Sequence, residues 1–160
     1  MPTTRLATLV RAAALGAATG SRSTAGIAAL ALTSRPDDRG VIASRAGSRP
    51  GHVVAPLAAA GEITADKLPF TPSRLGARGL IPRIALAVTA AAGMATRDGE
   101  RPASATVAAA AALAAVTALG SAALGVRFRA LAARRLGSDL PGAFAEDALA
   151  GTLAWLGARR

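Results

Sequence analysis

Glu62 and Asp66 stand four residues apart in GEITADKLP, just ahead of Pro69. That spacing places both carboxylates on one face of a helical turn, which the proline then ends. Two close carboxylates can bind a cation, share a proton or pair with an arginine. A second acidic pair, Glu146 and Asp147, interrupts the apolar run 142–157, and a cation, Arg22, interrupts the run 6–33. A charge facing lipid costs about 2.5–3.5 kcal/mol or more, so charges within apolar segments turn inward and find partners. Arg22, Glu62, Asp66, Glu146 and Asp147 are therefore the candidate ion or solute site, with Arg22 as counter-charge. Gly20, Ser23, Lys67 and Pro69 support it. A plainer reading stands beside this one. Glu62 and Asp66 would only close a helix and pair with Lys67 or loop arginines, and Glu146 and Asp147 would be solvated on a surface helix.

Other chemistries lack their residues. There is no cysteine, so disulfides and thiolate metal sites are excluded, and the single His52 cannot form a cluster. In a polar connection it reads as a solvated side chain. No Ser/His/Asp set, phosphate loop or metal cluster gives an enzyme a mechanism, so no catalytic residue and no cofactor is assigned. The formal net charge is +10, and every cationic residue except Lys67 is arginine. Such a balance suits nucleic acid, an anionic lipid surface or membrane-orienting loops. With no tyrosine and only Phe70, Phe128, Phe144 and Trp155 available for stacking, nucleic acid is the poorest of the three.

The elements that must position these charges are helices. Residues 103–126 contain no charged side chain. At ~1.5 Å per residue, a helix of that length covers the roughly 30 Å hydrocarbon core of a bilayer. On a helical wheel Ala111, Ala114, Ala118, Ser121 and Gly125 share one face, and Leu113, Val116, Leu119, Leu124 and Val126 the other. A small-against-large division is expected in lipid, where small residues let helices approach and large ones meet acyl chains. Composition agrees: 52% of residues are hydrophobic but only 2% aromatic. A soluble core made of alanine would bury little area.

Five apolar segments, 6–33, 53–63, 80–96, 103–126 and 142–157, are separated by basic, breaker-rich stretches at 34–52, 64–79 and 127–140. The pattern predicts one membrane domain over 1–160: an all-α integral membrane helix bundle of about four spanning helices plus a short re-entrant or interfacial helix. Segment 6–33 reads as a retained helix rather than a targeting peptide. A break at Gly20–Ser23 would make it discontinuous, as transporters do at binding sites. Segment 53–63 is too short to span. If it stays on one side, the arginines of 34–79 and of 127–140 share the cytoplasmic face.

Three elements in order resemble a family of small multi-pass membrane proteins, domain-of-unknown-function family 4126. They are Gly20-x-Arg22-Ser23 in GAATGSRSTAGIAALALTSR, Glu62-x3-Asp66-Lys67-x-Pro69 in GEITADKLPFTPSR, and Glu146-Asp147 in AEDALA. The resemblance spans nearly the whole chain and implies a multi-pass protein without implying an activity. The stretch 34–52 is longer and more basic than the family pattern suggests.

Two functions of different class follow. The first is a small ion- or proton-coupled transporter or channel using buried arginine and carboxylates. The second is a non-catalytic scaffold whose charges lock helix pairs and whose basic loops bind anionic lipid headgroups. Both place the chain in a cell membrane, the plasma membrane of a bacterium, with the bilayer as its first partner. Gly16-x3-Gly20 and the small face of 103–126 suit either intramolecular packing or a homo-oligomer.

Overall fold

The computed structural model describes residues 5–65, 76–98 and 104–160. These form helices α1 (Arg5–Ser21), α2 (Ala25–Thr33), α3 (Val41–Ala46), α4 (Arg49–Ala65), α5 (Ala77–Thr96), α6 (Ser104–Leu136) and α7 (Leu140–Ala158). No strand occurs among the described residues. Asp66, Lys67 and Pro69 lie outside them.

The long apolar segment 6–33 is two antiparallel helices, where one interrupted span was expected. Glycine and hydroxyl residues crowd the sequence Gly20-Ser21-Arg22-Ser23-Thr24, and such side chains compete with the helical backbone for hydrogen bonds. The chain leaves α1 at Arg22, where the Ala25 amide donates to the Arg22 carbonyl at 3.0 Å, and folds back. Gly26 then lies against Thr19 and the Leu15 backbone, so closely that a Cβ would overlap the Thr19 hydroxyl. Only glycine permits that approach.

The other directions follow from side-chain contacts. Gly16 and Gly20 of α1 sit against Ala114 and Ala118 of α6, so these two helices run parallel. The Gly-x3-Gly element therefore packs within the chain. α7 runs opposite to α1, since Arg11 reaches Gly157 while Arg22 reaches Glu146 and Asp147. α4 runs from His52, whose Nε2 lies 3.2 Å from the Ser34 carbonyl, to Glu62 beside Thr24. His52 is thus helical, not part of a loop.

Two expectations change with this topology. α4 carries the chain from one end of the bundle to the other, so the basic stretches around 34–48 and 127–139 sit at opposite ends, not on one face. Residues 41–46 and 49–52 of the basic stretch 34–52, and 127–136 of the other, are helical. Pro50 lies in the first turn of α4, where its missing N–H is not needed. Residues 127–136 are mostly helix-favouring Arg, Ala and Leu, and α6 continues until Gly137 adopts φ +68°.

The interior is built from small side chains. Ala12, Ala18, Ala87, Ala90, Ala114 and Ala118 are buried, and Leu15 and Leu30 are the largest apolar side chains fully enclosed. On α6 the buried line is Ala110, Ala114, Ala118, Ala122 and Gly125. Val116, Leu119, Leu124 and Val126 face outward, as the wheel predicts. Soluble proteins put their large hydrophobes inside; this bundle does the reverse. α5 and α6 are each long and apolar enough to cross a membrane.

Candidate functional site

The reversal between α1 and α2 is held by charges from three other helices. Backbone N–H groups at the start of a helix need acceptors and attract an anion. The anion here is Glu62 of α4. Its Oε1 accepts from the Ser23 amide at 2.7 Å, and its Oε2 accepts from the Thr24 amide at 2.8 Å and the Thr24 hydroxyl at 2.7 Å. Arg83 of α5 lies 3.5 Å from Glu62 Oε1 and donates through Nε to the Gly20 carbonyl at 3.2 Å. Gly20, Ser23 and Glu62 therefore belong to one cluster.

Arg22 itself points to the other side, toward α7. Its Nε donates to Asp147 Oδ1, and a terminal nitrogen lies 4.0 Å from Glu146 Oε2. The Arg22 and Glu146 side chains are each only 4% exposed, whereas Asp147 is 14% exposed. Glu146 thus faces the interior and is not a solvated surface acid. Among the described residues, two cations, Arg22 and Arg83, meet three carboxylates, Glu62, Glu146 and Asp147, in this layer.

A cleft of about 220 Å³ opens beside the cluster, between α2, α4 and α7. Arg22, Thr24 and Asp147 form its polar end, and Leu32, Gly151 and Trp155 are part of its apolar length. An apolar pocket with a few converging polar groups is the usual form of a small-molecule site. The arrangement can hold a cation against Asp147, or pass a proton between carboxylates that already share one guanidinium.

Four of the five predicted site residues are described, and all four converge: Arg22, Glu62, Glu146 and Asp147. Arg83 was missed. Its signal is the same as that of Arg22, a lone arginine in an apolar segment, but three residues into 80–96 it reads as a boundary charge.

A second charged layer lies at the opposite end of α1 and was not anticipated. Arg97, 1% exposed, donates to the Ala158 carbonyl at 2.8 Å and the Thr33 hydroxyl at 3.1 Å. Arg11 donates to the Gly157 carbonyl at 3.0 Å. Arg160 joins them through Asp38 and Asp98. Arg11 and Arg97 cap the C-terminal carbonyls of α7.

No protein-family model, curated protein or solved structure matches the chain. The family resemblance rests on its quoted motifs alone.

Proposed function

We propose that this protein is a multi-pass membrane protein that moves a small cation or protons, with Arg22, Glu62, Arg83, Glu146 and Asp147 as its binding layer. In this reading α4, α5, α6 and α7 are the four spanning helices, and the α1–α2 hairpin is the re-entrant element. The outward-facing large hydrophobes support lipid as the solvent, because an apolar surface that extensive is a liability in water. Family 4126 membership and a bacterial plasma membrane belong to the same proposal.

The observation that carries it is the convergence of buried charges from α1, α4, α5 and α7 at a helix break beside a cleft. Buried charge is costly, and broken helices recur where transporters bind ions. The layer lies off-centre: Arg83 and Glu146 are each six residues inside their helix starts, or about 9 Å at 1.5 Å per residue. It would act as the mouth of a path whose far end is closed by the arginine caps.

A scaffold is the second reading, favoured by the pairing of Glu62 with Arg83 and of Arg22 with Asp147. Arg127, Arg134 and Arg135 on exposed α6 would then engage anionic headgroups. Cation flux in proteoliposomes separates the two. Wild-type protein should carry a monovalent cation or protons, and Glu62→Gln should slow it at least tenfold while remaining folded. Flux by neither protein, or equal flux by both, favours the scaffold.

A further inference from the structure

We infer that the groove between the end of α6 and the start of α7 seats one anionic phospholipid, its phosphate on Arg135 and an acyl chain against Phe128 and Leu131.

Helix length sets the depth. α6 has 33 residues, so it is about 50 Å long at ~1.5 Å per residue, against the roughly 30 Å of a hydrocarbon core. Its uncharged part ends at Val126. With that part filling the core, 127–136 reach headgroup depth. Phe128, Leu131, Ala132 and Arg135 follow the i, i+3, i+4, i+7 spacing and share one face there. That face is one wall of a groove of about 330 Å³, and Pro141 and Ala145 of α7 lie on the other. Gly142 brings α7 against Ala132 at its floor. Phe128 and Leu131 remain about half exposed.

Charge selects the occupant. Arg135 lines the groove itself, and Arg127 and Arg134, seven residues apart, share the adjoining face beside Leu131. Asp139, the nearest acid in sequence, pairs with Arg129. No carboxylate pairs with Arg127, Arg134 or Arg135 among the described residues. Arg134 donates through Nε to the Ala130 carbonyl at 3.3 Å, which leaves its other N–H groups available. A phosphodiester offers the acceptors that guanidinium groups match best. Inorganic phosphate would leave Phe128 and Leu131 uncovered, and a zwitterionic lipid would bring its own cation among three arginines. A second copy of this chain would set arginine against arginine. Direction agrees with a lipid. Arg135 stands seven residues, or about 10 Å, outward of Phe128, so a head on the arginine lets its chain run inward toward the core.

The test is native mass spectrometry of the full chain released from nanodiscs of equal phosphatidylglycerol and phosphatidylcholine. One phosphatidylglycerol should stay bound per chain, preferred about tenfold over phosphatidylcholine, as one charge-assisted contact allows. Arg135→Gln and Ala145→Trp, both at exposed positions, should each abolish that preference, the first by removing charge and the second by filling the groove. Arg135→Gln keeps the test valid if Ala145→Trp fails to fold. Arg45→Gln, at an exposed position of α3, removes the same net charge and should change nothing. Added inorganic phosphate should not displace the lipid. Equal retention of both lipids, displacement by phosphate, or a protein dimer in place of the lipid would overturn the assignment. So would an equal loss in Arg45→Gln, or indifference to Arg135→Gln or Ala145→Trp.

The inference rests on the proposed function only in placing the chain in a bilayer, and it turns diffuse headgroup attraction into a one-to-one site. A chain that retains the lipid and moves no cation fails the transport reading alone. A chain that moves cations without retaining it fails this one alone.

Discussion

The two ends of α1 both bury arginine in an alanine-rich bundle, yet they satisfy it differently. At the start, Arg11 and Arg97 donate mainly to backbone carbonyls at the end of α7. At the reversal, Arg22 and Arg83 face carboxylates from α7 and α4. A carbonyl keeps its dipole at any pH and cannot leave, so the first layer is a lock. A carboxylate can take a proton or exchange one cation for another, and the second layer also has a cleft beside it. Buried arginine alone does not mark a functional site in this bundle. The capped end also holds carboxylates, Asp38 beside Arg160 and Asp98 beside Arg97 and Arg160, so it is the adjoining space that distinguishes the two layers.

Variants should separate the layers by what they damage. The largest loss is expected for Arg97→Ala, which removes a fully buried guanidinium and its bonds to the Ala158 carbonyl and the Thr33 hydroxyl and should cost about 3 kcal/mol. Thermal unfolding in detergent reads it directly. Gly20→Ala comes next, because its Cβ would overlap the Ala118 backbone, and overpacking of this kind costs about 1–3 kcal/mol. Glu62→Gln should lose only about 1 kcal/mol, since an amide oxygen can still accept from the Ser23 or Thr24 amide. Its cation flux should nevertheless fall at least tenfold, and equal stability and flux losses would make the reversal a lock like the other end. Gly120→Ala should be the mildest change. Nothing lies within 4 Å of its Cβ, and alanine favours the helix by up to ~1 kcal/mol. Any loss of folding there would show that this face of α6 packs against something other than the described residues.

Much of this division could be read from residue types. The small and large faces of α6 followed from periodicity, because a long helix without charges has only side-chain size to sort. Arg22, Glu62, Glu146 and Asp147 were identifiable because a charge in an apolar run demands a partner. What could not be read was direction. The break after Arg22 was marked by Gly20, Ser23 and Thr24, but whether the chain bends or reverses depends on Gly26 meeting Thr19, a contact made only in three dimensions. That reversal, together with the course of α4, placed the basic stretches at opposite ends. Arg97 and Arg11 were hidden for a related reason. Their main partners are the carbonyls at the end of α7, which every residue carries, so no residue type there signals them.

The most direct test compares one acid from each layer in proteoliposomes loaded for proton, sodium or potassium flux. Asp147→Asn alters the reversal, and Asp38→Asn alters the capped end, where Asp38 pairs with Arg160. With both variants folded, wild type and Asp38→Asn should move the same cation at similar rates, and Asp147→Asn should be at least tenfold slower. Equal rates in all three, equal slowing in both variants, or no flux from wild type would contradict the assignment of function to the reversal.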